Sequence, residues 1–128
     1  MHTLDIQMRF NDIDQMGHVN NAVIMEYFDL GKEAFFTQHG LPPEEGDFTV
    51  MIVHYEVDFV QQLRFHNKVA VATTVERFGN KSLTLRQSIV DAQGTVYATC
   101  NTVMAGYSRT QKCAAVIPPT VKERLMSA

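Results

Sequence analysis

Carboxylate and amide side chains are concentrated in residues 9–22, RFNDIDQMGHVNNA, directly before a run with helical periodicity. The first N–H groups of a helix have no partner within the helix and carry partial positive charge. Such donors can stabilise a developing oxyanion. Because Asp14 lies just before the expected helix, its carboxylate could act there as a base or a nucleophile. The pattern is therefore compatible with acyl transfer.

From spacing alone, a purely structural interpretation of the same residues is favoured. Asn20 or Asn21 can cap the helix through a side-chain oxygen. Asp12 and Asp14 can each close a turn by accepting a backbone N–H two residues further on. His18 can be a hydrogen-bonded turn residue. Chemistry at this junction needs evidence beyond the spacing.

Metal and nucleotide sites are disfavoured by the residue pattern. An EF-hand loop beginning at Asp12 would need oxygen ligands where Met16 and Val23 stand. A site built from Asp14, His18 and a further histidine would lack the paired spacing of HxxxH or HExxH. The chain contains no GxGxxG or GxxxxGK[ST] motif. We therefore expect no metal and no cofactor.

Length and charge indicate one domain, residues 1–128, with a net charge of −3. This balance gives no global basic field for nucleic acid or an anionic membrane. No stretch approaches the roughly 18 apolar residues of a membrane helix, and the N-terminus lacks an apolar signal core. Cys100 and Cys113 form no disulfide framework, and a nucleophilic role for either is disfavoured. We expect a cytoplasmic protein that binds neither nucleic acid nor membrane.

A long helix is predicted from residue 19 to about residue 38, where apolar residues recur at spacings of three and four. His39-Gly40 should end it, and Pro42-Pro43 cannot continue it. Gly31 should weaken the helix by roughly 1 kcal/mol relative to alanine, unless close packing requires it. The broad apolar stripe indicates a heavily buried helix.

Five strands and a short helix complete the predicted elements. The strands are expected at residues 3–11, 50–60, 68–78, 82–90 and 95–109. Alternation should place Leu4, Ile6, Met8 and Phe10 on one face of the first strand, and Met51, Val53, Tyr55, Val57 and Phe59 on one face of the second. In the same way it should align Val69, Val71, Thr73 and Val75 in the third strand, and Leu83, Leu85, Gln87 and Ile89 in the fourth. Short loops predict that the last four strands form an antiparallel meander. A short helix, TVKERLMS, follows Pro118-Pro119. This order favours an α+β arrangement in which the sheet wraps the long helix.

The segment RFNDIDQMGHVNNA, followed by EYFDLGKEAFF, closely resembles the hotdog-fold acyl-CoA thioesterases of the 4-hydroxybenzoyl-CoA thioesterase-like branch. Members of that branch typically have R-F-x-D-x-D-x-x-G-H-V-N-N before the helix and YFE-x-AR within it. The later segments EVDFVQQLRFHNKV and RFGNKSLTLRQSIVD resemble the branch at the level of the fold. The resemblance implies a hotdog fold: a curled antiparallel sheet of about five strands wrapped around one long helix, with a short C-terminal helix.

The resemblance also implies roles for the residues of the first motif. Asp14 matches the catalytic carboxylate, which would act as general base on water or attack the thioester carbonyl directly. Backbone N–H groups around Asn20 and Asn21 would hold the thioester oxygen. His18 and the two asparagine side chains would orient Asp14 or line the thioester. Asp12 is the more structural of the two aspartates.

Substrate and assembly follow from the same resemblance. Lys81 and Ser82 match the hairpin that approaches coenzyme A, and Val50 and Met51 match the acyl pocket. The substrate would be an acyl-CoA. The protein would be a homodimer whose sheets join side by side, often paired again into a homotetramer, with active sites completed by the partner chain. Local basic residues available for the CoA phosphates are Arg64, Lys68, Arg77, Lys81 and Arg109.

Departures from the branch pattern leave the acyl group undetermined. Ile24 stands where the branch often has Tyr, and Gly31-Lys32 stands where it often has Ala-Arg. Two other activities on the same fold also remain open. One is a non-catalytic acyl-CoA-binding module, since a fold does not fix a function. The other is a hotdog hydratase or dehydratase, although its His-plus-acid motifs are not found here.

Overall fold

The computed structural model describes residues 1–41 and 46–126, so the predicted helix stop at Pro42-Pro43 lies outside the described residues. The elements in chain order are β1 (His2–Asp5), a single 3-10 turn (Phe10–Asp12), α1 (Asn21–Gln38), β2 (Phe48–Phe59), β3 (Val69–Phe78), β4 (Ser82–Asp91), β5 (Val96–Ser108), β6 (Cys113–Ala114) and α2 (Pro119–Met126). No helix in this part of the chain is long and apolar enough to cross a bilayer.

The strands form one antiparallel sheet in the order β1-β3-β4-β5-β2, with β6 pairing with the end of β5. The predicted α+β arrangement is confirmed. The predicted meander holds for β3, β4 and β5 but is wrong for β2, which pairs with β5 instead of β3. Residues 60–68 lead the chain away from β2 past the loop before α1, where the Val19 N–H donates to the Leu63 carbonyl at 2.7 Å. The edge of β3 is thereby left to β1.

The core lies between α1 and the central strands. The predicted inner faces of β3 and β4 are confirmed, because Val71, Leu85 and Ile89 are fully buried. Phe28 and Phe35 of α1 anchor two apolar clusters, one on each half of the sheet. Val121 and Leu125 of α2 close the second cluster. The two helices thus cover one face of the sheet.

The first strand is shorter than its alternation predicts. Leu4, Ile6 and Met8 are half-buried as expected, but Phe10 is 78% exposed and its predicted burial is wrong. Pairing with β3 ends where the Ile6 N–H donates to the Val69 carbonyl. The chain then enters the 3-10 turn, so Phe10 no longer follows the period of a strand.

The predicted single apolar face of β2 is also wrong, because a bulge between Ile52 and His54 shifts the alternation by one residue. Residues directly opposite each other in an antiparallel pair share a face. Ile52 lies opposite the buried Met104, whereas Met51 lies opposite Ala105 on the outer face. The helix-facing side of β2 consists of Val50, Ile52, Tyr55, Val57 and Phe59.

Gly31 sets how closely α1 approaches the sheet. A Cβ atom at this position would lie 2.6 Å from Val71 Cγ1 and 2.9 Å from Gln87 Nε2. The same Gln87 Nε2 donates to the Phe28 carbonyl of α1 and to Thr73 Oγ1, each at 3.0 Å. Close packing therefore explains a glycine inside this helix, despite its low helix propensity.

Candidate active site

Asp12 connects the 3-10 turn to the long helix. Its side chain is buried, and its Oδ2 accepts the Tyr27 hydroxyl at 2.6 Å and the Arg9 backbone N–H at 3.0 Å. Its Oδ1 accepts Arg9 Nε at 3.2 Å and Nη2 at 3.0 Å. Both carboxylate oxygens are thus occupied by protein donors. This agrees with the structural role predicted for Asp12.

The ionisation states of this cluster are fixed by its contacts. Burial raises the pKa of Asp12, but hydrogen bonds from Tyr27 and Arg9 and the Arg9 charge outweigh it, so the pKa lies below its usual value. Burial and the Asp12 carboxylate together raise the pKa of Tyr27. At neutral pH Asp12 is an acceptor and Tyr27 a donor, which keeps the connection intact.

The turn that carries Asp14 is held on both sides. The Asp14 N–H donates to the His18 carbonyl at 2.8 Å, which closes the turn on itself. Ile13 and Val19 form an isolated antiparallel bridge, and His18 forms another with Arg64. These bridges fix the turn against the segment that follows β2.

The Asp14 carboxylate closes its own turn through only one of its two oxygens. Asp14 Oδ1 accepts the backbone N–H groups of Met16, at 2.9 Å, and His18, at 3.3 Å. The turn interpretation is therefore right for one oxygen. Within the described residues, Oδ2 accepts no hydrogen bond. An exposed Asp14 thus presents one free oxygen to the space beside the helix start.

The first turn of α1 leaves a specific donor unpaired. Asn20 is the cap: its Oδ1 accepts the Ala22 N–H at 2.7 Å, and its carbonyl accepts the Ile24 N–H at 3.0 Å. In residues 1–41 and 46–126 the N–H groups of Asn21 and Val23 have no acceptor. The cap prediction is confirmed for Asn20, and the open donor belongs to Asn21, the first helical residue.

Asp14 and Asn21 line the same open cleft of about 430 Å³. Its full lining is Asp14, His18, Val19, Asn20, Asn21, Ile24, Phe59, Val60, Gln61, Gln62 and Leu63. The motif residues were predicted to lie together. The second wall, residues 59–63, was missed because it comes from the far end of β2. Only the long-range bond between Val19 and Leu63 brings it to the helix start.

The other predicted site residues lie elsewhere in the chain. Eight residues of β2 separate Phe59 from Met51, which corresponds to about 26 Å. Ser82 lies level with Met51 across the intervening strand β5, since both pair with Ala105, and Lys81 precedes Ser82. One chain therefore does not bring Val50, Met51, Lys81 and Ser82 to the cleft.

The donor set does not favour a metal centre within the described part of the chain. There, no group of three or more His, Cys, Asp or Glu side chains converges closely enough to hold an ion. The cleft itself contributes Asp14 and His18 from that set. Its arrangement instead pairs a carboxylate with backbone N–H donors, the groups needed for acyl transfer.

Comparisons with known proteins agree with this geometry. Residues 8–125 match the model of the Thioesterase-like superfamily. A predicted thioesterase from Bacillus stearothermophilus is 28% identical, with 98% of this chain and 93% of that chain covered and a TM-score of 0.86. A thioesterase from Thermus thermophilus, solved with coenzyme A and zinc, is 26% identical, with 98% and 91% covered and a TM-score of 0.84. A 1,4-dihydroxy-2-naphthoyl-CoA thioesterase from Synechocystis, 18% identical, supports the fold, with 96% and 93% covered and a TM-score of 0.84. The resemblance to hotdog-fold thioesterases is confirmed.

Removing the Tyr27 hydroxyl tests the Asp12 connection. Tyr27→Phe should lower the free energy of unfolding at neutral pH by about 1–3 kcal/mol, because a buried carboxylate loses a donor. The folded-state pKa of Asp12 is depressed, so its stabilisation is present above the unfolded pKa and is lost as the pH falls through the folded value. The difference between wild type and variant should therefore narrow in acid. Urea denaturation at several pH values measures it.

Tyr107→Phe is the matched control, since no hydrogen bond of the Tyr107 hydroxyl occurs in the described residues. It should leave the free energy of unfolding nearly unchanged. Equal stabilities for wild type and Tyr27→Phe at neutral pH would contradict the role assigned to Asp12.

Proposed function

The chain belongs to the thioesterase-like superfamily, and from this premise we propose that it hydrolyses an acyl-CoA thioester to the free acid and coenzyme A. The observation that carries the proposal is the shared cleft of the Asp14 carboxylate and the unpaired Asn21 N–H. Known structures of similar proteins support coenzyme A as the thiol, since one of them was solved with it.

Each group of the cleft has a chemical task in this proposal. The thioester carbonyl oxygen accepts the Asn21 N–H, which stabilises the negative charge that develops on it. Asp14 either takes a proton from the attacking water or attacks the carbonyl carbon itself, giving an anhydride that water then cleaves. The tetrahedral centre collapses by breaking the carbon–sulfur bond, and the CoA thiolate takes up a proton. The His18 backbone holds Asp14 in position through two hydrogen bonds.

A second copy of the chain is proposed to complete the site. β2 lies at the end of the sheet order, so one edge of its twelve residues has no neighbour among the described residues. Side chains on or beside it are substantially exposed: Ile52 40%, Tyr55 44%, Phe59 47% and Val60 54%. A long apolar edge strand tends to pair with a strand of another chain, because its edge presents unpaired N–H and C=O groups.

Antiparallel pairing of two β2 strands about their midpoint would join the two halves of the predicted site. The end of β2 that carries Val50 and Met51 in one copy would then lie beside Phe59 and the Asp14 cleft in the other. Lys81 and Ser82 would approach the same cleft, because Ser82 is level with Met51 and only β5 lies between them. This explains why residues matched to the acyl pocket and the CoA hairpin are remote within one chain.

A cytoplasmic location is part of the proposal. Cys100 is buried and Cys113 exposed, and both are free thiols. Free thiols are the rule in reducing compartments.

Asp14→Asn tests the catalytic assignment. The asparagine keeps an Oδ1 acceptor for the Met16 and His18 N–H groups, so the turn should persist while the negative charge is lost. Thiol release from a panel of acyl-CoAs should fall at least about 100-fold in kcat. Asp5→Asn, at an exposed aspartate of β1 on the opposite edge of the sheet from β2, is the control and should keep wild-type turnover.

Three results would count against the assignment or the function. Full turnover by Asp14→Asn would remove Asp14 from the chemistry. Hydration of enoyl-CoAs without thiol release would favour the hydratase alternative. Tight acyl-CoA binding with no turnover by the wild type would favour a non-catalytic binding module.

Val53→Glu tests the shared site. Val53 lies at the bulge near the middle of β2 and is 61% exposed, so two copies of the new charge would face each other across the paired strands. The wild type should have at least twice the mass of one chain in solution, whereas the variant should be monomeric and inactive. Val116→Glu, an exposed apolar position outside the sheet, should retain mass and activity. A monomeric, fully active wild type would contradict the shared site.

A further inference from the structure

The side chain of Lys32 is buried, and its ammonium group has no hydrogen-bond acceptor within the described residues. The side chain is 6% exposed, although lysine is almost never fully buried unless it is paired. Its closest anion is Asp29 Oδ1 at 3.6 Å, and Asp29 itself is 63% exposed. Within residues 1–41 and 46–126, Lys32 Nζ donates no hydrogen bond. Three N–H donors are therefore available at the end of a buried side chain.

Lys32 lies against the exposed inner side of β2. Its Nζ is 5.7 Å from the centroid of the Tyr55 ring, a cation–π distance. Tyr55 belongs to the helix-facing side of β2 and is 44% exposed. We call the helix-facing surface of β2 from Phe59 to Tyr55 the β2 shelf. Lys32 stands where this shelf meets α1.

The β2 shelf begins at the candidate active site and ends at Lys32. Ile24 of α1 and Phe59 of β2 both line the cleft. Lys32 is eight residues beyond Ile24, about 12 Å along the helix. Tyr55 is four residues before Phe59, about 13 Å along the strand. These similar lengths place the Lys32–Tyr55 contact at the end of the β2 shelf that is remote from the cleft.

We propose that Lys32 binds a carboxylate at the distal end of the acyl group, so that the preferred substrates are ω-carboxyacyl-CoA thioesters. This inference rests on the proposed thioesterase function. The thioester sits between Asp14 and the Asn21 N–H, and the methylene chain lies along the shelf. The distal carboxylate then accepts charge-assisted hydrogen bonds from Lys32 Nζ.

The local chemistry selects an anion over a methyl group. A methyl-terminated chain would cover the ammonium and leave its N–H groups without acceptors, which is costly. The Asp29 carboxylate does not fill this role, because it is mostly in solvent and beyond hydrogen-bond distance. Tyr55 stabilises the ammonium through its ring face but supplies no negative charge. A substrate carboxylate supplies both the acceptor and the charge.

Matched substrate pairs test the proposal. The value of kcat/KM is measured for adipoyl-CoA against hexanoyl-CoA, suberyl-CoA against octanoyl-CoA, and shorter pairs. At one chain length or more, the wild type should prefer the carboxylated member by at least about tenfold, as one charge-assisted hydrogen bond provides. Lys32→Met keeps the length of the side chain without its charge. It should lose this preference while it continues to hydrolyse the methyl-terminated substrates.

Lys122→Met is the matched control, because Lys122 Nζ has a similar aromatic contact, 5.9 Å from the Phe78 centroid, away from the cleft. It should keep the wild-type preference. Calorimetry on the Asp14→Asn protein measures the dissociation constant of each substrate without turnover. The carboxylated member of a preferred pair should bind about tenfold more tightly than the methyl-terminated member.

Several outcomes overturn the proposal. One is a wild type that does not prefer the carboxylated substrate over its methyl-terminated partner at any chain length, in either turnover or binding. Lys32→Met could lower both members of each pair equally, or change the mass of the assembly, which would make Lys32 a structural or interface residue. Hydrolysis of methyl-terminated substrates alone would leave the thioesterase function standing. Absence of thiol release from any substrate, with the binding preference retained, would instead count against hydrolysis.

Discussion

The geometry of the cleft depends on the hydrogen bonds of one buried residue, Asp12. It accepts hydrogen bonds from Arg9 at the start of the 3-10 turn and from Tyr27 in α1. Its backbone carbonyl accepts the Asn20 N–H at 3.0 Å, which fixes the residue that caps the helix. The two ends of the segment that carries Asp14 are thereby tied to one residue. A buried charge with all its acceptors used favours a single arrangement of that segment, because any other arrangement leaves the charge uncompensated.

A second constraint sets where the helix start points. Gly31 lets α1 approach Val71 and Gln87 more closely than a Cβ atom would allow, and Gln87 donates to the helix backbone at Phe28. Together with Asp12, this contact fixes the distance of α1 from the sheet. The positions of the Asn21 N–H, proposed to bind the thioester oxygen, and of the β2 shelf, proposed to hold the acyl chain, both depend on that distance.

Local patterns in the sequence predicted much of this architecture. The alternation in β3 and β4 marked the buried face correctly, and the Asn20 cap and the position of Asp14 were visible in one motif. The pairing of β2 with β5 was not predicted, because the strand order depends on the path of residues 60–68. The bulge at Val53 also escaped prediction, since an extra residue in a continuous apolar run leaves no mark in its composition. Tyr27 and Leu63 reach the site through long-range hydrogen bonds that have no local signature.

The proposed chemistry depends on two groups, the Asp14 carboxylate and the Asn21 N–H, and the backbone donor can be removed by itself. Asn21 is the first helical residue, where proline is well tolerated, and Asn20 has the extended backbone, φ −60° and ψ 141°, that proline requires of its predecessor. Asn21→Pro removes an N–H that has no acceptor within the described residues, whereas Asn21→Ala keeps it. The most direct measurement is kcat for thiol release by these two variants at equal folded concentration. If the Asn21 N–H binds the oxyanion, the proline variant should lose about 100- to 1,000-fold in kcat and the alanine variant should keep near-wild-type turnover. Equal turnover by both would contradict the oxyanion role of the helix start.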